Sequence, residues 1–339
     1  MKNVLITGAG GEVGYTLITE LKKKGCFVVA TSLHKLPPES EKECNKYYQV
    51  DVIKKSSLSK VFEKHNFDII FHLASILSTG GEKSPESAID VNTLGSINTL
   101  ELATQQALKT NKQIVFIFPS SIAAYGMENI KTKKLAGKVK GNKFLNPITI
   151  YGITKIFTEK LGYYFSKNYK LLSDIKRDSL IDFRCVRFPG LLSPDTVPSG
   201  GTSDYGPEMI HSAAQNKSYT CFVRPDSKIP FMAMADAVRA IIELSQIPKA
   251  KLSTQVYNIA GFSVSAKDIE VEVKKLFPKT KITYKVDKIR QSIVDSWPED
   301  VNDNLAKRDW DWKANFNFQK TFEKYLLPNI IKRYSKIEK

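Results

Sequence analysis

The first 190 residues alternate short apolar runs with longer amphipathic segments. Six apolar runs bounded by turn residues predict buried strands, at 3–8, 27–32, 46–52, 67–75, 113–121 and 182–190. Three longer segments predict helices, at 13–25, 86–107 and 149–169. In the first helix Val13, Leu17 and Leu21 share one face, and Gly25 ends it. Strands that alternate with helices predict right-handed βαβ units, and hence a doubly wound, parallel α/β sheet of the Rossmann type.

The pattern after residue 190 is less regular. It predicts a strand at 256–261, a helix at 266–278 and a short strand at 281–286. We therefore expect two domains: residues 1–190 plus about 233–261 for dinucleotide binding, and 191–232 plus about 262–335 as a smaller, C-terminal substrate-binding lobe. The lobe would lie over the carboxyl ends of the strands, where open α/β sheets bind ligands.

Composition and cysteine usage narrow the class of protein. Hydrophobic residues occupy 42% of the 339 positions and charged residues 25%, which is typical of a globular chain. No apolar run reaches the roughly 18 residues of a membrane span, so we expect no membrane partner. The chain opens on a strand-like run, so we expect no signal peptide. The four cysteines, Cys26, Cys44, Cys185 and Cys221, lack metal-ligand spacing and favour a reduced, cytoplasmic setting without a metal site.

The net charge of +16 comes from 51 basic against 35 acidic residues, and 43 of the basic residues are lysine. Such an excess can indicate a nucleic-acid partner. The lysines are dispersed and seldom interleaved with aromatic residues, so a solvated surface explains them better and we expect no nucleic acid. The densest run, at 131–143, predicts an exposed loop.

A glycine turn follows the first predicted strand. Gly8, Gly11 and Gly14 stand between that strand and the first helix. Glycines there let the backbone approach a pyrophosphate, and the helix N-terminus supplies free N–H groups and a positive dipole. A packing turn is the alternative, but the strand–turn–helix context favours a dinucleotide.

Two positions on the third predicted helix suggest proton transfer. Tyr151 and Lys155 are four residues apart and so share a helix face. A nearby ammonium favours the phenolate, and we expect it to lower the tyrosine pKa so that Tyr151 acts as a general acid/base. Such pairs also occur by chance. Ser120 and Ser121 end the preceding strand. Chance is a poor explanation for a tyrosine–lysine pair that follows both the glycine turn and a strand ending in serine.

Several motifs together resemble a known family. The G-x-x-G-x-x-G turn, Asp51–Val52, "HLAS" at 72–75 and Asn92 resemble extended short-chain dehydrogenases/reductases. The segment "RFPGLLSPDTVPSGGTSDYG" (187–206), rich in glycine and proline, reads as one long ligand-binding loop. It and "DSWP" (295–298) resemble the short-chain-type L-threonine 3-dehydrogenases, and the resemblance spans nearly the whole chain. The 30-residue separation of Ser121 and Tyr151 is longer than this family implies, and we expect the lysine-rich excess to loop away.

The resemblance and the chemistry of a small zwitterion together suggest the site residues. The catalytic set is Ser121, Tyr151 and Lys155. The cofactor set is Gly8, Gly11, Glu12, Val13, Ser32, Asp51, Val52, Leu73, Ala74, Asn92, Tyr151 and Lys155. The substrate set is Ser78, Ser121, Tyr151, Gly190, Thr202, Asp204 and Trp297. Ser78, Thr202 and the Gly200–Gly201 backbone would meet a carboxylate, Asp204 an ammonium, and Trp297 a methyl group. Each also has an ordinary alternative, as a turn residue, a helix cap or a core residue.

The cofactor preference rests on the end of the second strand. NAD-preferring relatives carry an acid there, whereas this chain has Ser32. Serine can still hydrogen-bond a ribose hydroxyl, while His34 and Lys35 could meet a 2′-phosphate. We expect NAD, with NADP as the alternative.

The resemblance implies NAD-dependent oxidation of L-threonine at C3 to 2-amino-3-oxobutyrate, a step in threonine catabolism. It also implies a homodimer through the helices at 86–107 and 149–169. A sugar-nucleotide epimerase or dehydratase is the first alternative. It would need cationic clamps for a diphosphate, for which Arg187 looks structural and Arg224 and Arg290 are unplaced. A non-catalytic nucleotide-binding module is the second alternative.

Overall fold

The computed structural model describes residues 1–196, 198 and 200–335. The strands are β1 (Asn3–Thr7), β2 (Phe27–Ser32), β3 (Lys46–Gln49), β4 (Ile69–His72), β5 (Ile114–Ser121), β6 (Lys138–Val139), β7 (Ile181–Phe188), β8 (Gly190–Leu192), β9 (Tyr219–Cys221), β10 (Lys228–Ala233), β11 (Val256–Asn258), β12 (Phe262–Ser265), β13 (Ile282–Tyr284) and β14 (Asp300–Val301). Seven of them form one sheet in the order β11-β7-β5-β4-β1-β2-β3. Every pairing in it is parallel, which confirms the predicted doubly wound α/β fold.

Helices connect these strands. They are α1 (Glu12–Lys23), α2 (Pro38–Glu43), α3 (Lys55–Lys64), α4 (Ser78–Lys83), α5 (Pro85–Ile89), α6 (Gly95–Thr110), α7 (Ile130–Ala136), α8 (Ile150–Tyr163), α9 (Tyr205–Ala214), α10 (Met234–Gln246), α11 (Ala266–Leu276), α12 (Lys288–Asp295), α13 (Asn304–Trp310), α14 (Phe318–Lys320) and α15 (Leu327–Ser335). A π-helical stretch, Asp90–Leu94, joins α5 to α6, and another, Tyr164–Asn168, extends α8. Across the described ranges, no helix is both long and apolar enough to cross a bilayer.

The large sheet has an apolar core on each face. On one face Leu17 and Leu21 of α1 pack with Ile241 of α10. On the other, Leu58 of α3 and Leu100 of α6 pack beneath the strands. The α1 face was predicted from its spacing, and burying each such leucine contributes about 1.5–3 kcal/mol. These two layers hold the carboxyl ends of the strands at a common edge.

A third apolar cluster organises the C-terminal half. It includes Met209 of α9, Phe231 of β10, Ile269 of α11 and Phe322. A three-stranded sheet, β12-β10-β8, runs through it, and β9 pairs with β13. Since β8 starts two residues after β7 ends, the small sheet begins at the carboxyl edge of the large one. The division into two domains stays a prediction.

The prediction of an exposed loop at 131–143 is wrong about the loop, although most of these residues are exposed. The segment forms most of α7 and then β6, which pairs in parallel with β14. Asn129 caps α7 by accepting a hydrogen bond from the Thr132 N–H. Lys133 is only 3% exposed. The excess residues therefore pack against the chain instead of looping away, because β14 offers them a strand to pair with.

The prediction of one continuous loop at 187–206 is wrong at both ends. Residues Gly190–Leu192 form β8, and α9 begins at Tyr205. Val197 and Ser199 lie outside the described residues. The predicted strand at 46–52 is also shorter, since pairing ends at Gln49. The strand predicted at 256–261 ends at Asn258.

Candidate active site

A cavity of about 250 Å³ lies at the carboxyl edge of the large sheet. The ends of β1, β4, β5 and β7 meet there, together with the starts of α1 and α8. Its lining includes Gly8, Gly11, Glu12, Val13, Leu73, Ser78, Ser120, Ser121, Tyr151, Lys155, Thr202, Asp204 and Trp297. Most of the residues predicted for cofactor, catalysis and substrate therefore share one cavity.

The glycine turn forms one end of this cavity. Gly8 has a φ of +69°, and a Cβ there would lie 2.5 Å from the Ala74 backbone. A Cβ on Gly14 would lie 2.5 Å from the Ala9 carbonyl, so both positions exclude a side chain. Gly11 caps α1 without any side-chain hydrogen bond, and its Cβ position meets only the Gly8 carbonyl, at 3.5 Å. An open backbone cradle at an uncapped N-terminus fits the pyrophosphate of a dinucleotide.

Tyr151 and Lys155 lie one turn apart on α8, with Ser121 at the end of β5. The Lys155 Nζ donates a hydrogen bond of 2.9 Å to the Pro119 carbonyl. It lies 5.2 Å from the centre of the Tyr151 ring. The Ser121 side chain acts on the Tyr151 phenol and lowers its pKa, and the Ser121 Oγ accepts the Ala123 N–H at 3.1 Å. The three predicted catalytic side chains are therefore close together, as their order along the chain suggested.

The expectation of a lowered tyrosine pKa is wrong for the chain by itself. Burial raises the pKa of Tyr151 to about 12, and the Ser121 hydrogen bond offsets only part of that effect. Burial also lowers the pKa of Lys155 to about 8. Removing water disfavours the charged form of both groups. The Lys155 ammonium donates to a carbonyl of β5, so it does not offset the desolvation of the phenol.

A buried ion pair supports β5 and α8 from behind the cavity. The Arg187 Nη2 lies 2.6 Å from the Glu159 Oε2. The Ser120 hydroxyl donates to Glu159 at 2.6 Å. Arg187 is therefore structural, and it does not clamp a ligand. Sequence reasoning missed Glu159, although it follows Lys155 by four residues on the same helix face and that spacing could have revealed it.

His72 is a second supporting residue that was missed. Its Nδ1 lies 2.7 Å from the Thr7 hydroxyl and its Nε2 lies 3.0 Å from the Ser96 hydroxyl. Burial and the Lys155 charge lower the pKa of His72 to about 3, so it stays neutral. These two hydrogen bonds connect β4 to β1 and to α6.

The other end of the cavity carries the predicted substrate residues. The Ser78 and Thr202 hydroxyls lie 3.1 Å apart, and both side chains are buried. Trp297 is 4% exposed and lines the cavity. Asp204 also lines it, and its Oδ2 accepts the Gly201 N–H at 2.6 Å. That N–H is therefore engaged, contrary to the expectation that it would meet a carboxylate.

Gly190 does not reach the cavity. It lies in β8, and a Cβ there would lie 2.7 Å from the Phe231 ring. The neighbouring Pro189 and Leu191 line the cavity in its place. Gly190 therefore packs against Phe231, and its predicted substrate contact stays a prediction.

The remaining predicted cofactor residues lie outside the cavity lining. Ser32 ends β2 beside the glycine turn, where a Cβ on Gly10 would lie 2.8 Å from its hydroxyl. Ala74 packs against Gly8. The Asp51 Oδ1 accepts the Ile53 N–H, and the Val52 carbonyl accepts a hydrogen bond from Asn98.

Asn92 has a structural role in this arrangement. Its Oδ1 accepts the Ile76 N–H at 2.7 Å, and its Nδ2 donates to the Ile76 carbonyl and the Thr154 hydroxyl. It joins the chain after β4 to α8, and its side-chain donors and acceptor are all engaged by protein groups.

The two unplaced arginines have structural partners. Arg224 forms a two-pronged ion pair with Asp295. The Arg290 Nη2 donates to the Gly200 and Gly201 carbonyls. Among the described residues that line the cavity, the only cation is Lys155. The arginine clamp that a sugar diphosphate would need is not built from these positions.

A larger depression of about 1030 Å³ opens beside β7 and β11. None of the predicted catalytic residues lines it. Its buried charged groups are engaged, since Glu159 pairs with Arg187 and Asp182 pairs with Arg184. The smaller cavity is therefore the better candidate for chemistry.

Comparisons with known proteins agree with this geometry. A family model described as "NAD dependent epimerase/dehydratase family" matches residues 4–260. The mitochondrial L-threonine 3-dehydrogenase of Bos taurus is 33% identical over 317 residues, which cover 93% of this chain and 79% of that protein.

Two solved structures superpose over almost the whole chain. The L-threonine dehydrogenase of Clostridium difficile has a TM-score of 0.87 at 32% identity, covering 98% of each chain. A monomeric L-threonine 3-dehydrogenase from a metagenome has a TM-score of 0.84 at 34% identity, covering 96% of this chain and 98% of that one. The similarity therefore includes the C-terminal half as well as the nucleotide-binding sheet.

Proposed function

The chain belongs to the NAD-dependent epimerase/dehydratase family, and we propose that it is an NAD-dependent L-threonine 3-dehydrogenase. It would oxidise the C3 hydroxyl of L-threonine to give 2-amino-3-oxobutyrate. The observation that carries the proposal is one cavity holding Ser121, Tyr151 and Lys155 between a glycine cradle and a small polar pocket. Two of the relatives named above carry threonine as the substrate in their names, and this supports threonine as the substrate proposed for this chain.

The glycine cradle and the start of α1 would bind the dinucleotide. Gly8 and Gly11 leave room for the pyrophosphate, and the first N–H groups of α1 would donate to it. When bound, the nicotinamide supplies the acceptor for the hydride that leaves C3. Ser32 beside the turn would hydrogen-bond a ribose hydroxyl, which is compatible with NAD, and the match to an NAD-dependent family supports NAD over NADP.

Ser121 and Tyr151 would act on the substrate hydroxyl. Ser121 donates a hydrogen bond that orients the oxygen, and Tyr151 takes the proton as general base. Once substrate and cofactor are bound, the Lys155 ammonium, one turn away on the same helix face, would favour the phenolate over the phenol. The presence of all three groups in the lining of one cavity supports these roles.

The substrate end suits a small zwitterion. The Ser78 and Thr202 hydroxyls would donate to the carboxylate, and Asp204 would face the ammonium. Trp297 would cover the methyl group and exclude water. Among the described residues that line the cavity, Lys155 is the only cation, and the absence of an arginine clamp for a diphosphate favours an amino acid over a nucleotide sugar.

The test is reduction of the nicotinamide cofactor with L-threonine, followed by absorbance with NAD and NADP side by side. We expect turnover with NAD and a roughly 100- to 10,000-fold loss in Tyr151→Phe, because that variant lacks the general base. The control is Tyr163→Phe, which removes a hydroxyl from an exposed tyrosine at the end of the same helix.

Turnover with NADP alone would retain the chemistry and overturn the cofactor assignment. Absence of turnover with either cofactor would end the threonine proposal, and sugar nucleotides would then be tested as substrates. Equal activity of Tyr151→Phe and Tyr163→Phe would remove Tyr151 from the mechanism.

We further propose a cytoplasmic homodimer. The apolar side chains of Leu94 and Leu108 on the α5–α6 helix, and of Ile153, Phe157 and Tyr164 on and just after α8, are between 41% and 49% exposed. Exposed apolar residues at helical spacing on two neighbouring helices favour burial against a second copy. The four cysteines are free thiols, which suits a reducing compartment.

A further inference from the structure

The lysine-rich segment, defined here as residues 127–139, contacts the chain on both sides of Trp297. Before the tryptophan, the Met127 N–H donates to the Ser296 carbonyl at 2.7 Å. After it, β6 pairs with β14, and the Asn302 N–H donates to the Val139 carbonyl at 2.9 Å. The stretch that carries Trp297 is thus anchored at both ends by one segment.

Lys133 supplies a third anchor. Its Nζ donates a hydrogen bond of 2.9 Å to the Val294 carbonyl, in the last turn of α12. The Val294 carbonyl also accepts the Trp297 N–H at 3.2 Å, so this one oxygen joins Lys133 to the backbone of Trp297, and a helix C-terminus attracts cations. The Lys133 contact joins residues 161 positions apart and lies three residues before Trp297.

Burying the Lys133 ammonium costs desolvation free energy. Lys133 is 3% exposed, and in the part of the chain that the structure describes it has no carboxylate within ion-pair distance. Burial lowers its pKa to about 8. A methionine would fill the same space without desolvating a charge. What the lysine adds is a directed hydrogen bond to the turn that precedes Trp297.

We propose that Lys133 is a positioning residue that sets the place of the Trp297 indole over the substrate end of the cavity. The proposal rests on the function proposed above. Without this third anchor, the Val294–Ser296 turn keeps only its backbone hydrogen bonds and the Met127 contact, and the indole closes less tightly on the substrate methyl group. Selectivity for L-threonine over L-serine, which lacks that methyl, would fall. A pocket that fits one methyl group discriminates by about 10- to 200-fold.

The experiment compares Lys133→Met with Lys134→Met. Lys134 is exposed on the same helix, so the control loses the same charge without touching the anchor. For Lys133→Met we expect a KM for L-threonine about tenfold higher, little change in kcat, and a similar fall in the threonine-to-serine ratio of kcat/KM. Lys134→Met should match the native enzyme, and the Kd for NAD should be unchanged in both.

A second readout does not depend on turnover. Acrylamide quenching of tryptophan emission, with Trp297→Phe to subtract Trp310 and Trp312, should show greater access to Trp297 in Lys133→Met than in Lys134→Met. If the native chain fails to oxidise threonine, this measurement still tests the anchor. Lys133→Gln keeps a hydrogen-bond donor on a shorter side chain and should give intermediate values. It replaces Lys133→Met in the comparison if that variant does not fold.

Two results would overturn the proposal. One is identical KM, selectivity and quenching in the Lys133 and Lys134 variants. The other is a lower melting temperature in Lys133→Met with KM, selectivity and quenching unchanged, since that would make Lys133 a stability residue alone.

Discussion

At the scale of single residues, Tyr151 occupies a site where burial opposes its own ionisation. Desolvation raises its pKa to about 12, and the Ser121 hydrogen bond recovers only part of the difference. Lys155, whose pKa burial lowers to about 8, is still protonated at neutral pH. The pair therefore begins with a protonated phenol beside an ammonium.

These two pKa values predict the pH dependence of oxidation. The base form of Tyr151 is the phenolate, and with a pKa above neutrality its fraction grows as the pH rises. We expect kcat/KM for L-threonine to increase from about pH 6 to about pH 8. Above about pH 8 Lys155 loses its proton and no longer favours the phenolate, so the increase should flatten.

Initial rates across that pH range would check this prediction. The residual activity of Tyr151→Phe should show no such rise. A native kcat/KM that falls between about pH 6 and about pH 8 would contradict Tyr151 as the base in oxidation.

At the scale of elements, the β1–α1 turn depends on two kinds of glycine. Gly8 and Gly14 leave no room for a side chain, because a Cβ at either would lie 2.5 Å from backbone atoms. Gly11 has room, since its nearest neighbour is the Gly8 carbonyl at 3.5 Å. The first pair holds the turn together, and Gly11 leaves the cavity open.

Alanine substitutions should separate these two roles. Gly14→Ala should lower the free energy of unfolding by about 1–3 kcal/mol, because its methyl group overlaps the Ala9 backbone. Gly11→Ala should cost less than about 1 kcal/mol, but its methyl group enters the cavity and should weaken NAD binding. Urea denaturation and NAD titration would measure the two effects. Equal losses of stability would contradict the distinction.

At the scale of the whole molecule, the exposed apolar face of α6 and α8 determines whether two copies of the chain can form a dimer. Phe157 is 41% exposed at the centre of the α8 stripe. We expect Phe157→Glu to convert a dimer into a monomer, because the interface would have to bury an unpaired carboxylate. Light scattering after gel filtration would measure the mass.

Leu135→Glu is the matched control, since Leu135 is 78% exposed on α7, outside the helices that carry the stripe. It should leave the mass unchanged. A native chain that already runs as a monomer, as the metagenome relative is described, would end the dimer proposal.

The elements that the sequence predicted are those set by local pattern. Alternating apolar runs and amphipathic helices were sufficient for the parallel sheet, because periodicity decides which face of each element is buried. The glycine turn and the Tyr151–Lys155 spacing are also local, since neighbours along one strand, turn or helix place those groups. For the same reason Ser121 could be assigned to the end of β5.

What only the tertiary structure decided involves residues far apart in the chain. The lysine-rich segment forms α7 and β6 because β6 pairs with β14. The Val294 carbonyl, 161 positions away, also accepts a hydrogen bond from the Lys133 ammonium. Arg187 forms an ion pair with Glu159, which lies 28 positions away on α8. The raised pKa of Tyr151 likewise depends on the elements that surround it. Pairing and desolvation are sums over distant neighbours, and a local pattern does not contain them.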